Sequence, residues 1–122
     1  MNKIVSVQKA IKISKQLKDE RKSIALVGGV FDILHIGHAR FLKAAKKQAD
    51  FLFVLLESDE KVRRLKGRNR PINSQDERAE VLASLLSVNY IIKLPAFMTS
   101  KDYDDIITEL KPDVLATTKG DP

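Results

Sequence analysis

The chain holds two histidines, and they stand three residues apart in Gly28-Gly29-Val30-Phe31-Asp32-Ile33-Leu34-His35-Ile36-Gly37-His38. An apolar run, Ser23-Ile24-Ala25-Leu26-Val27, leads into the two glycines and reads as a buried strand ending in a turn. Glycine lets the backbone bend sharply and approach a ligand with no side chain in the way. A helix follows from about Ile36 to Gln48, with Leu42, Ala45 and Ala49 on its inner face. Its first turn offers unpaired N–H groups and the positive end of a dipole, which suits phosphate. His35 and His38 share one face of that turn, so both imidazoles can address one anion. Each part has a plainer reading. A Gly-Gly pair after a strand usually only turns the chain, and a lone histidine usually serves structure. A His pair at this spacing can also bind metal. The nearest third ligand is Asp32, whereas zinc sites want three or four, so no metal site is expected. The combination, at the end of a first strand, points to phosphate chemistry.

Further cations surround that segment. Lys43 and Lys46 lie on the helix after the histidines, where the common fate of lysine is solvation. Lys61, Arg63, Arg64, Lys66, Arg68 and Arg70 form a run without an acid, expected to be a loop over residues 61–71. Such a run is a solvated surface or a nucleic-acid patch. No interleaved aromatics support base stacking, so nucleic acid is not the expected partner.

The remaining elements must position these groups. A helix is expected over Ser6–Lys22, with Val7, Ala10, Ile11 and Leu17 on one stripe. Phe51-Leu52-Phe53-Val54-Leu55-Leu56 is a strand too continuous to face water on either side. Ser74 and Glu77 have capping-box spacing, opening a helix with Ala79, Leu82, Leu85 and Leu86 inward. Tyr90-Ile91-Ile92 is a third strand. Thr99 or Ser100 caps a helix with Tyr103, Ile106, Ile107 and Leu110 inward, Pro112 stops it, and Val114-Leu115-Ala116 is a fourth strand. Strands and helices thus alternate after the first helix, which predicts an α/β fold with a parallel sheet and right-handed crossovers. Ligands then bind at the carboxyl ends of the strands, near the switch in strand order.

Composition narrows the classes. The 122 residues fit one domain with its own core, at 43% hydrophobic and 31% charged. A net charge of +6 and a pI near 9.6 suit an anionic partner. The absence of cysteine removes disulfides, thiolate nucleophiles and iron–sulfur clusters, and permits a reducing compartment. No apolar run approaches the ~18 residues of a membrane helix, and residues 1–22 lack the apolar stretch of a signal peptide. A cytoplasmic protein without a membrane partner is expected.

Gly29 to His38 resembles the signature of the cytidylyltransferase-like nucleotidyltransferases, with its paired histidines around a glycine. The resemblance continues through Arg40 to Lys46, Glu57-Ser58-Asp59, Arg64 to Gly67, Arg70-Pro71-Ile72 and Glu77-Arg78, covering roughly Lys22 to Asp121. It implies a Rossmann-like three-layer sandwich of the nucleotidyltransferase type. Residues 1–22 would be a helical lead-in before the first strand, and 23–122 the nucleotidyltransferase domain. It also implies attack by an acceptor phosphate on the α-phosphorus of a nucleoside triphosphate, ATP or CTP, with magnesium and release of pyrophosphate. His35, His38 and Lys46 would be catalytic. Gly29, Val30, Phe31, Asp32, Gly37, Lys66, Arg78 and Asp121 would bind nucleotide, and a homodimer is implied. Within the family the chain looks most like the adenylyltransferase branch of ADP-heptose synthases. FMN adenylyltransferases and glycerol-3-phosphate cytidylyltransferases are the alternatives; the latter carry an arginine where this chain has Leu86-Ser87. A nucleotide-binding module without catalysis, and a basic nucleic-acid-binding protein, are the readings from other classes. Members continue into a further strand and a Ser-Thr-Thr segment opening a helix. Thr117-Thr118-Lys119 only superficially resembles that segment, so the chain is expected to lack it.

Overall fold

The structure, a computed structural model, describes residues 2–116. Five strands, β1 (Ile4–Val5), β2 (Ile24–Gly29), β3 (Phe51–Leu56), β4 (Tyr90–Lys93) and β5 (Val114–Ala116), form one parallel sheet in the order β1-β4-β3-β2-β5. Five helices connect them: α1 (Val7–Asp19), α2 (Ile36–Lys46), α3 (Asp59–Lys66), α4 (Gln75–Ala83) and α5 (Ser100–Leu110). The strands at the centre are apolar at every position because both faces are covered. Alternate residues divide the core in two. Ala25, Val27, Leu52, Val54 and Leu56 pack with Leu42 and Ala45 of α2 and Ala79 and Leu82 of α4. Leu26, Phe53, Leu55 and Ile92 pack with Ala10 and Leu17 of α1 and Leu110 of α5.

From β2 the chain steps outward through β3 to β4, then returns to place β5 on the other side of β2. The reversal of strand order therefore lies beside β2, whose carboxyl end carries Gly28-Gly29. That is the position where open parallel sheets bind ligands.

Several expectations need correction. A strand, Ile4–Val5, precedes α1 and pairs with Ile91–Ile92, so the lead-in contributes to the sheet. Two residues are too few to show a period, and the pairing partner is 87 positions away in register. Helix α1 ends at Asp19 and not Lys22, because Arg21 takes a left-handed conformation at φ 59° and the Lys22 N–H turns back to the Leu17 carbonyl. The expected loop after β3 begins as a helix, α3. It lacks an apolar stripe, having only Val62 buried, yet its ends are well formed. Ser58 caps it, Asp59 and Glu60 occupy the first turn, and Arg63, Arg64 and Lys66 the last, matching the helix dipole. Leu86 lies beyond the end of α4 and is 97% exposed, not inward. The capping box of Ser74 and Glu77, and the cap of α5 by Thr99, form as expected.

Candidate active site

Helix α2 begins with a capping box made of the two histidines. The Gly37 N–H donates to Nδ1 of His35 at 3.0 Å, and the His35 N–H donates to Nδ1 of His38 at 3.2 Å. An imidazole nitrogen that accepts carries no proton. A neutral ring that accepts through Nδ1 carries its proton on Nε2, so the bonds that cap the helix favour that tautomer. The rings lie 4.1 Å apart, centroid to centroid. Gly37 makes this possible: a Cβ there would stand 2.8 Å from Cε1 of His35, so a side chain would push the ring away.

The turn before α2 is held with equal closeness. Phe31 adopts a left-handed conformation at φ 48°, unusual for a bulky residue, and buries its ring edge-on to His38 at 5.7 Å. A Cβ on Gly29 would meet that ring at 2.8 Å. Gly29 and Phe31 thus form a pair: the missing side chain of one admits the ring of the other, which backs the second histidine.

Asp32 anchors the far wall. Its carboxylate accepts from the Ile72 N–H at 2.8 Å, the Asn73 N–H at 2.9 Å and Nε of Arg70 at 2.8 Å. The Asn73 side chain returns a bond to the Asp32 carbonyl. Burial alone would raise the Asp32 pKa, but the bonds from Asn73 and Ile72 and the Arg70 guanidinium outweigh it and hold the carboxyl below its ordinary value. The side chain is 1% exposed and committed to the 70–73 loop, so Asp32 shapes the wall of the cavity that it lines.

These groups enclose a cavity of about 260 Å³ lined by Val30, Phe31, Asp32, Ile33, His35, His38, Lys66 and Arg70. Arg70 is already paired with Asp32. Lys66, at the last turn of α3, has no ion-pair partner among the described residues, so the cavity is cationic. Two Nε2–H imidazoles at the positive end of the α2 dipole and a lysine form an arrangement suited to a phosphate chain. Arg70 is a lining residue that sequence reasoning missed; its place beside Pro71 and Ile72 in the resembling segment was the signal.

Two expected site residues lie elsewhere. Arg78 is 1% exposed. Its guanidinium donates to the carbonyls of Asn73, Val30 and Glu57 and to Asp59. Each nitrogen is engaged, so Arg78 braces the ends of β2, β3 and α3 and cannot also bind phosphate. Lys46 sits in the last turn of α2, the end opposite the histidines, and its charge acts on Asp50 just before β3. Eight residues of helix separate it from His38, about 12 Å at 1.5 Å per residue, so it does not share their site. Asp121, like Thr117-Thr118-Lys119, lies outside the described residues. Among those residues, no group of three or more His, Cys, Asp or Glu side chains could hold a metal ion, and no helix is long and apolar enough to cross a membrane.

A parallel α/β sheet with a histidine pair capping the helix beside its switch point defines a Rossmann-like domain of the nucleotidyltransferase type. The chain belongs to the cytidylyltransferase-like family, whose model matches residues 26–120. It is 44% identical over 113 residues to the "Bifunctional protein HldE" of Wolinella succinogenes, covering 93% of this chain and 23% of that protein. The protein of the same name from Nitratiruptor sp. is 46% identical over 103 residues, 84% of this chain and 21% of that protein. The chain thus spans about a fifth to a quarter of the length of the curated relatives it matches. A solved structure, the lipopolysaccharide core biosynthesis protein from Thermoplasma volcanium, superposes with a TM-score of 0.63 at 32% identity, over 77% of this chain and 72% of that one.

Proposed function

We propose that this domain transfers AMP from ATP to a sugar 1-phosphate, D-glycero-β-D-manno-heptose 1-phosphate in the first instance, releasing pyrophosphate. The observation that carries the reading is the histidine capping box: both imidazoles are held with Nε2–H as the donor, at a helix start that itself attracts anions. An oxygen of the acceptor phosphate attacks the α-phosphorus in line. A new P–O–P bond forms, the bond to the β-phosphate oxygen breaks, and its electron pair leaves on pyrophosphate. Little covalent chemistry is asked of the protein, so position and charge stabilisation are its contribution. His35 and His38 donate to the phosphate oxygens as negative charge builds. Lys66 holds the departing pyrophosphate, and the Asp32–Arg70 pair keeps the wall behind it in place.

Magnesium accompanies nucleoside triphosphates, and it neutralises charge on the phosphate chain. The described residues offer no cage for a resident ion, and Asp32, the acid of the cavity, is committed to the 70–73 loop. In this reading the metal arrives with the triphosphate. The relatives named HldE and the lipopolysaccharide core protein support a sugar phosphate as acceptor.

Pyrophosphate release tests the proposal. ATP and CTP are each offered with heptose 1-phosphate, glycerol 3-phosphate and FMN. Release with ATP and heptose 1-phosphate is expected. Release only with CTP and glycerol 3-phosphate, or only with ATP and FMN, replaces the acceptor. Nucleotide binding without release under any pairing makes the domain a binding module.

A further inference from the structure

At the end of β3, across from the glycine turn, stands a carboxylate outside the lining of the cavity. Glu57 follows β3 directly, and its N–H donates to the Gly29 carbonyl at 3.1 Å, which sets it one strand across from the glycine turn. Its Oε1 accepts from the Tyr103 hydroxyl of α5 at 2.6 Å. Among the described residues Oε2 has no partner. Lys61 of α3 lies over the Tyr103 ring, 5.4 Å from its centroid. At the carboxyl edge of the sheet, Lys66, Arg70 and the histidines line the cavity, while Glu57, held by the Tyr103 phenol with Lys61 and Arg64 around that ring, stands outside the lining at the end of β3.

A carboxylate repels phosphate and accepts hydroxyl hydrogens well, since bonds to an ionised acceptor are short and strong. Next to a cationic cavity it fixes which way a two-part ligand lies: phosphate toward β2, neutral hydroxylated body toward β3. Tyr103 is suited to hold it. Burial and the Glu57 carboxylate push the ionisation of the phenol well above its ordinary value, so it stays a donor at working pH.

We propose that Glu57 determines acceptor specificity by accepting hydrogen bonds from the hydroxyls of the sugar body, with Tyr103 as the residue that positions it. This rests on the sugar phosphate reading above. Separate calorimetric titrations with ATP, heptose 1-phosphate and methyl phosphate, which has no hydroxylated body, test it on the full chain. Glu57→Gln should weaken heptose 1-phosphate binding about tenfold, the effect of losing one bond to a charged group. It should leave ATP and methyl phosphate binding within about twofold. Tyr103→Phe, which keeps the ring packed, should give a smaller loss confined to the sugar phosphate. Unchanged sugar phosphate affinity in both variants overturns the proposal, and so does a loss shared equally with ATP. A wild-type chain that binds ATP but no sugar phosphate overturns it while leaving nucleotide binding intact. Glu57-dependent binding of sugar phosphate by a chain that binds neither ATP nor CTP supports it and removes the transferase reading.

Discussion

Gly37 has room for a hydrogen and nothing larger, and that space decides where His35 points. A methyl group there would displace the imidazole and cost the cap about 1 kcal/mol. The better helix propensity of alanine, in the first turn of α2, offsets part of that amount. Gly37→Ala is therefore expected to lower the melting temperature only slightly. Its turnover should fall about a hundredfold, since a displacement of about 1 Å at a reacting centre is enough to do so. Pyrophosphate release beside a thermal melt checks both halves. The two lysines singled out in the sequence separate at this scale too. Lys66 lines the cavity and Lys46 is at the other end of α2. Lys66→Ala should raise the KM for triphosphate about tenfold, the loss of one bond to a charged group. Lys46→Ala should match the wild type in steady-state kinetics.

At the scale of elements, Arg78 does the most. It ties the carboxyl ends of β2 and β3 to the start of α3 through the Val30 and Glu57 carbonyls and Asp59. A phosphate ligand, once removed, would cost activity and spare stability. A buried brace behaves the other way. Arg78→Met should lower unfolding stability by about 3 kcal/mol, the lower end for a broken buried pair, because Asp59 is 31% exposed and can turn to water. Urea denaturation followed by circular dichroism reads the loss. Helix α3 shows why such roles escape a linear reading. Its sequence, Asp59 to Lys66, is charged at all but two positions, so periodicity says loop. Its stability comes from caps, charges that oppose the dipole, and one buried valine. The Ser58-Asp59-Glu60 start and the Gly67 stop were its readable signals. Strands β2 to β5 and helices α2, α4 and α5 were legible because their apolar patterns are long or bounded by caps.

For the whole molecule, acid is the informative perturbation. Asp32 closes the site loop, and Asp113 joins α1 to β2 by accepting from Lys18 and from the Ile24 N–H. Both carboxyls are held below their ordinary value of 3.8. For Asp113 the bonds from Lys18 and Ile24 are the cause. For Asp32 those from Asn73, Ile72 and Arg70 overcome burial. A depressed pKa means the unfolded chain binds the proton more readily. The stability they contribute is complete above the ordinary value and is lost as pH falls through the lowered folded values. Urea midpoints measured from pH 7 to pH 2.5 should therefore drop steeply below about pH 4. Asp32→Asn and Asp113→Asn should each start lower at pH 7 and show a shallower fall. An unchanged slope in both would assign the acid sensitivity to other groups.

The amino-acid sequence by itself determined the parallel α/β class, the glycine turn after β2 and the histidine pair at the start of α2. Each rests on local rules: apolar runs, caps and spacing act over a few residues. Only the tertiary structure decided which cations share that site. Whether a charged side chain meets ligand or protein depends on neighbours far away in sequence. Arg78 is neutralised from within by Asp59, 19 positions away, and by the Val30 carbonyl, 48 positions away. Lys46 is placed by the length of its helix at the wrong end of the sheet. Lys66 reaches the cavity from the last turn of α3, whose first turn is tied to α4 by the Asp59–Arg78 pair. Packing, and not residue type, sorted three similar cations into a buried brace, a lysine at the far end of α2 and a lining residue of the cavity.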